Sequence, residues 1–251
     1  MNTEKFDNKG AVYAKARPGY PAALFSYLRE NGNLCKDTVV ADIGAGTGIF
    51  TAQLASFAKT VYAVEPNGDM RREAEVRYAD FPNVISVSGT AEQTSLPKSS
   101  VDLITVAQAF HWFDRDSFRA ECLRILKPRG KVFLVWNDRD VSSEVIRANF
   151  AVNQRFCPGF KGSSNGIDFS PEGFSDFFSG DFNFLTFENS LSYNLDAFLS
   201  RNLSSSYAPA KDESSYTPYC EAIKEVFFKY QKDGIVQYPY ITRCYLGTVC
   251  Y

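Results

Sequence analysis

Two hydrophobic periods alternate along the first half of the chain. Short, largely β-branched runs at Val39–Ile43, Thr60–Val64, Asn83–Ser88, Val101–Ala107 and Lys131–Trp136 read as strands. Between them apolar residues recur at helical spacing. Ile49, Phe50, Leu54 and Phe57 follow the first strand, and Phe118, Cys122, Ile125 and Leu126 precede the fifth. Asn67 or Asp69 is placed to cap a charged helix over roughly residues 69–80. Asp114 is placed to cap the helix of Phe118, which Lys127-Pro128-Arg129-Gly130 ends. Upstream, Pro21 starts a helix carrying Leu24, Phe25 and Leu28. Strands alternating with helices predict an α/β fold with a parallel sheet and right-handed crossovers.

Beyond Trp136 the rhythm changes. Residues 138–180 read as loop-rich, with Phe150, Phe156, Phe160, Phe169, Phe174, Phe177 and Phe178 close together. Phe184–Tyr193 predicts a sixth strand, residues 212–231 a helix carrying Ile223, Val226 and Phe227, and Ile241–Val249 a last strand returning antiparallel. The expected organisation is a single domain over 1–251, with an arm at 1–30 and a lid inserted at 138–182. Most of the lid's phenylalanines are expected to fill its own core.

The stretch Asp42-Ile43-Gly44-Ala45-Gly46-Thr47-Gly48 carries the first chemical signal. Its glycines allow a sharp turn and let a ligand approach where a Cβ would collide. The amides that open the following helix lack intrahelical partners and favour a polarised oxygen. The spacing departs from the dinucleotide fingerprint, whose third glycine would stand at Ile49, and no Lys follows as a phosphate loop requires. The second strand ends in Glu65, near the ~20-residue offset at which an acid reaches the ribose hydroxyls in nucleotide-binding α/β folds. Ligands in such sheets sit outside the carboxyl ends of the strands. The glycine loop, Glu65, the Thr90–Glu92 loop and the Gln108–Trp112 turn all fall there.

Composition narrows the classes further. The 251 residues include 45% hydrophobic ones, enough for a sizeable core, and carry a formal charge of −2. That charge, without a basic cluster, argues against nucleic acid as a partner. No apolar run is long enough to span a bilayer, and the first ten residues hold no apolar stretch, so a cytoplasmic protein is expected. The six cysteines form no C-x-x-C pair and the chain has one His, so no metal site is expected.

From Asp42 to Trp136 the chain resembles the seven-stranded Rossmann-like methyltransferases that use S-adenosylmethionine. The motifs are D-I-G-A-G-T-G, V-E-P-N with Met70 beyond it, G-T-A-E, and R-I-L-K-P-R-G-K before the fifth strand. The arm Y-A-K-A-R-P-G-Y-P and the turn A-F-H-W-F are similar to a narrower subgroup that includes fungal trans-aconitate methyltransferase. The resemblance implies a mostly parallel sheet whose last strand lies antiparallel between its neighbours. It implies that Gly44, Ala45 and Gly46 line the methionine and ribose, with Asp42 supporting the loop, and that Glu65 holds the ribose hydroxyls. Pro66 and Met70 would border the adenine, Ala91 and Glu92 would lie at its edge, and Gln108 and Ala109 beside the methionine. Tyr13 and Arg17 would close over the donor, with Arg17 a candidate for its carboxylate. Many relatives carry an acid where Thr90 stands, so Glu92 or a backbone carbonyl would take the adenine amino group.

The activity so implied is methyl transfer to a carboxylate or hydroxyl oxygen of a small molecule, leaving S-adenosylhomocysteine. No nucleic acid or membrane partner is expected, and the protein would be a monomer or homodimer. Alternatives are a non-catalytic methyltransferase-like subunit, methylation of protein or RNA, and a nicotinamide oxidoreductase. His111, just past the fourth strand, is the candidate base if the acceptor is a hydroxyl, or a structural partner of Trp112. Arg139, Arg147, Arg155 and Arg201, with the Ser204–Tyr207 run, are candidates to meet an anionic acceptor.

Overall fold

The computed structural model describes residues 19–162, 171–178, 182–205 and 207–249. The predicted strands form as β1 (Val39–Ile43), β2 (Thr60–Val64), β3 (Val84–Val87), β4 (Val101–Ala107) and β5 (Leu126–Arg139). With β6 (Phe182–Glu188) and β9 (Tyr240–Gly247) they build a seven-stranded sheet in the order β3-β2-β1-β4-β5-β9-β6. The first five pair in parallel, and β9 runs antiparallel between β5 and β6. The reversal of order beside β1 places the crevice for a ligand at the carboxyl ends of β1 and β4.

Period-two alternation sends each strand's side chains to two buried faces. Ala41, Ile43, Ile104, Val106, Leu134 and Trp136 face one side, where Phe118, Cys122 and Ile125 of α4 (Arg115–Ile125) cover them. Val40, Val61, Leu103, Phe133 and Val135 face the other, under α1 (Ala22–Glu30) and α2 (Ile49–Ala55). In α1 the predicted Leu24, Phe25 and Leu28 are the buried face. Asn67 is the cap of α3 (Gly68–Arg77): its side chain accepts from the amides of Asp69 and Met70. Asp114 caps α4 through the Ser117 amide.

The second half differs from the expectation in three respects. Residues 144–156, read as loop, form the helix α5 (Glu144–Phe156), which buries Val145 and Ile146. The stretch expected as one sixth strand breaks after Glu188: β6 stays in the main sheet, while β7 (Leu191–Tyr193) pairs with β8 (Val236–Tyr238) in a separate ribbon. The aromatic run also divides. Phe150, Phe156 and Phe160 join a cap core built with α5, α6 (Leu195–Leu203), α7 (Tyr216–Tyr230) and the ribbon. Phe174, Phe177 and Phe178 instead pack into the sheet's own core, Phe174 lying 5.3 Å from Trp136 and 4.3 Å from Tyr245 between ring centres. The lid expected at 138–182 is thus two pieces with different partners, and most of the cap comes from residues further on. The end of α4 is displaced as well: Leu126 opens β5 rather than closing the helix, and the Lys127–Gly130 turn lies within that strand's span.

Candidate functional site

The glycine loop sits where β1 ends beside β2. The amides of Gly44 and Ala45 both donate to the Val64 carbonyl, at 2.8 and 3.1 Å, so the loop is laced to the neighbouring strand. Gly44 has φ +69°, and a Cβ there would come within 2.7 Å of the Ala109 Cβ. The left-handed backbone and the turn after β4 together therefore demand glycine. Gly46, at φ +57°, is different: among the described residues an added Cβ would meet nothing nearer than 4.0 Å.

Glu65 closes the loop from the end of β2. One of its oxygens, Oε2, accepts from the Gly46 amide at 3.0 Å, and Oε1 accepts from the Asn67 amide at 2.9 Å. Each oxygen keeps a lone pair for a further donor. Arg71 steadies the bend by donating to the carbonyls of Glu65 and Pro66, at 2.7 and 2.8 Å. Burial raises the Glu65 pKa above its ordinary value, opposed by the two amides and the Arg71 charge. Asp42 lies beneath, 1% exposed, accepting from Thr51 Oγ1 at 2.6 Å and Thr105 Oγ1 at 2.8 Å. Burial, with a smaller push from the Glu65 charge, lifts its pKa to about 6. Asp42 thus ties the end of β1 to α2 and to β4. The two carboxylates are close enough for the charge of one to raise the pKa of the other, an arrangement that a cationic ligand relieves.

The remaining expected residues within the described stretches follow the carboxyl ends of β2, β3 and β4. Met70, on the first turn of α3, is buried, as is Ala91. Glu92 Oε1 accepts from the Asp114 amide at 3.1 Å, which ties the loop after β3 to the start of α4. Gln108 takes a left-handed conformation, φ +61°, strained for a non-glycine residue, and its Nε2 donates to the Asn137 carbonyl at 3.2 Å. His111 follows on a short 3-10 turn (Phe110–Trp112), its ring 4.9 Å from that of Trp112. Its Nδ1 is buried with no hydrogen-bond partner among the described residues, and burial pulls its pKa down to about 4. Tyr13 and Arg17 lie outside the described residues.

Asn137 is a site residue that the sequence reading missed. Its Nδ2 donates to the Gly19 carbonyl at 3.1 Å, and its Oδ1 accepts from Asn189 Nδ2 at 3.0 Å and Thr242 Oγ1 at 2.6 Å. Its own carbonyl receives Gln108. One amide therefore joins the arm, the β6–β7 bend, β9 and the turn after β4 at the mouth. The signal was a lone amide closing the apolar run Val132–Trp136. Two clefts elsewhere, of about 600 and 380 Å³, open among Arg29, Lys36 and Phe57 and among Thr38, Asp102 and Lys127, and contain none of the site residues.

Residues 41–134 match the model of a methyltransferase domain family. That stretch is similar to methyltransferase domains. The match begins one residue before Asp42 and ends in β5, so it contains the whole glycine loop, Glu65 and the turn after β4. An uncharacterized methyltransferase-like protein of Schizosaccharomyces pombe is 37% identical over 141 residues, 56% of this chain and 54% of its own. An uncharacterized methyltransferase of Mycobacterium bovis is 37% identical over 135 residues, 54% and 53% of the two chains. The chain spans about half the length of these curated relatives in the match. Among solved structures, a candidate type II methyltransferase from Anaeromyxobacter dehalogenans superposes with a TM-score of 0.65 at 24% identity, over 93% of this chain and 98% of its own. That likeness of fold covers the cap as well as the sheet.

Proposed function

We propose that the protein transfers a methyl group from S-adenosylmethionine to an oxygen of a small carboxylic acid, releasing S-adenosylhomocysteine. The observation that carries this reading is the loop itself: no described residue crowds Gly46, and Glu65 is fixed by two amides and still able to accept. A carboxylate so held is preorganised for a pair of ribose hydroxyls. The anionic pair Asp42 and Glu65 also suits a donor that bears positive charge. Met70 and Ala91 supply the apolar walls for adenine, while Gln108 and Ala109 border the methionine end. S-adenosylmethionine supplies a methyl already activated on a sulfonium. What is left to the chain is to hold the acceptor in line and to exclude water, and such positioning removes up to ~7–11 kcal/mol of a barrier.

His111 bears on which oxygen reacts. A pKa of about 4 leaves its imidazole neutral but a weak proton acceptor at neutral pH. A hydroxyl acceptor would need a stronger base, whereas a carboxylate arrives ionised. In this reading His111 shapes the acceptor wall with Trp112 and can take a hydrogen bond at Nδ1. The partner is a small molecule rather than nucleic acid or membrane, and the chain acts as a monomer or homodimer. The free thiols of the described cysteines suit the reducing cytosol. None of the described helices is long and apolar enough to cross a membrane.

The test is transfer of labelled methyl from S-adenosylmethionine to a panel of small carboxylic acids and small alcohols. The expected product is a base-labile methyl ester. Label appearing only on alcohols would overturn the carboxylate assignment, and label appearing only on added protein or RNA would overturn the small-molecule one. Donor binding with no transfer to any acceptor would favour a non-catalytic subunit.

A further inference from the structure

The cap holds a guanidinium that nothing among the described residues neutralises. Arg201, on α6, is 6% exposed. Its Nε and Nη2 both donate to the Tyr240 hydroxyl, at 3.1 and 3.0 Å, and its Cζ lies 4.8 Å from the centre of the Tyr238 ring. The remaining terminus, Nη1, is buried without an acceptor among the described residues. No carboxylate among them pairs with it either. The oxygens that feel its charge are phenolic, those of Tyr193, Tyr207, Tyr238 and Tyr240. Burial pushes Tyr238 up to about 12 and raises Tyr193 as well, so neither of these two phenols supplies a counter-charge.

A second orphan donor belongs to the same core. Asn153, fully buried on α5, accepts from the Tyr219 hydroxyl at 3.0 Å, while its Nδ2 has no acceptor among the described residues. Tyr219 in turn feels the Arg201 charge. The other amides of this core are satisfied. Asn149 donates to Asn202 at 2.8 Å and accepts from Tyr238 at 2.6 Å. Folded proteins pair their buried donors, and an unpaired buried cation is among the most unfavourable groups a fold can retain. Two donors left open, one of them cationic, indicate an acceptor that arrives from outside.

The position fits the methyl-transfer mouth. Tyr240 opens β9 and pairs with Arg139 at the carboxyl end of β5. Arg139 is half-buried, lies over the Phe150 ring and donates to the Tyr207 hydroxyl at 3.3 Å, so the cluster reaches the same end of the sheet as the glycine loop. From β1 to β9 is three strand spacings, about 14 Å. Two other cations are spent elsewhere: Arg147 donates to the carbonyls of Val141 and Ser142, and Arg155 lies over the Phe156 ring.

We propose that Arg201, with Asn153 as a second donor, binds a carboxylate that the acceptor retains through the reaction. This rests on the methyl-transfer reading above and names the acceptor's class: a small acid with one charged end in the cap and its reacting oxygen at the glycine-loop side. A carboxylate paired to a guanidinium three strands from the loop is the anchor, not the nucleophile. One positive charge amid neutral donors matches a single carboxylate better than a phosphate dianion.

The experiment is a thermal-shift titration of the full chain with glutarate, inorganic phosphate and dimethyl glutarate, with S-adenosylhomocysteine affinity measured alongside. Glutarate is expected to raise the melting temperature saturably, and the phosphate and the diester are not. Arg201→Gln is expected to weaken glutarate about 10-fold or more while S-adenosylhomocysteine still binds, and Arg201→Lys to restore part of the response. If Arg201→Gln does not fold, Asn153→Asp serves: an internal carboxylate in the same core is expected to raise the melting temperature and abolish the glutarate response. No saturable response in the wild type, or one that survives in either variant, overturns the proposal. So does an equal response to phosphate. S-adenosylhomocysteine binding without a glutarate response sinks this inference alone; failure of S-adenosylhomocysteine to bind sinks the reading beneath it.

Discussion

Replacing Asp42 with Asn tests the electrostatics of the loop's foundation. The carboxylate is 1% exposed and has two threonine hydroxyls but no cationic side chain bonded to it. Burial lifts its pKa from an ordinary 3.8 to about 6. Because the native state holds this proton more tightly than the unfolded chain, Asp42's contribution is greatest at low pH and declines as pH rises from about 4 to about 6. The full span corresponds to about 3 kcal/mol of stability lost on ionisation. Asn is nearly isosteric, stays neutral, and can accept from one threonine while donating to the other. Asp42→Asn is therefore expected to gain about 1–3 kcal/mol at pH 8 and little at pH 4. Urea unfolding of both proteins between pH 4 and pH 8 measures the difference. The variant should also bind S-adenosylmethionine, with its positive sulfonium, less well relative to S-adenosylhomocysteine than the wild type does. A variant that is destabilised at pH 8, or whose stability difference does not change with pH, would refute the reasoning.

Three further outcomes are expected. Glu65→Ala should weaken S-adenosylhomocysteine by about 1.5–3 kcal/mol, through loss of a charged acceptor; calorimetric affinity unchanged from wild type would show that Glu65 does not hold the ribose. His111→Gln should leave turnover of a carboxylate acceptor within a few-fold. Since burial lowers the His111 pKa from 6.5 to about 4, His111 removes stability as pH falls through that window, and the Gln variant should resist acid better in urea unfolding. Gly44→Ala combines a left-handed backbone with a 2.7 Å contact to Ala109, and a loss of about 2–4 kcal/mol in chemical denaturation is expected.

The sheet was legible because its strands are buried on both faces and its turns carry local signals. Val39–Ile43 into Gly44 and Thr60–Val64 into Glu65 announce strand, turn and ligand side within a dozen residues each. The cap was not, because its elements are defined by what they pack against. The amphipathic face of Glu144–Phe156 alternates with polar residues that turn out to be buried, Asn149 and Asn153, so its periodicity is blurred. The break after Glu188 leaves no glycine or proline to mark it; it exists because Asn189 bonds across to Gly19 and Asn137. Phe174 and Phe156 look alike in sequence, and only the tertiary fold sends one to Trp136 and the other to Tyr219. The same blindness hid Asn137 and left Arg201 indistinguishable from Arg147 and Arg155.

The central claim is that the loop between Asp42 and Glu65 holds an adenosyl group bearing a methionine. Calorimetric titration of the full chain with S-adenosylhomocysteine and, separately, with NAD tests it most directly. Saturable one-to-one binding of S-adenosylhomocysteine and none of NAD is the expected result. No heat with S-adenosylhomocysteine, or saturable heat with NAD, would contradict it.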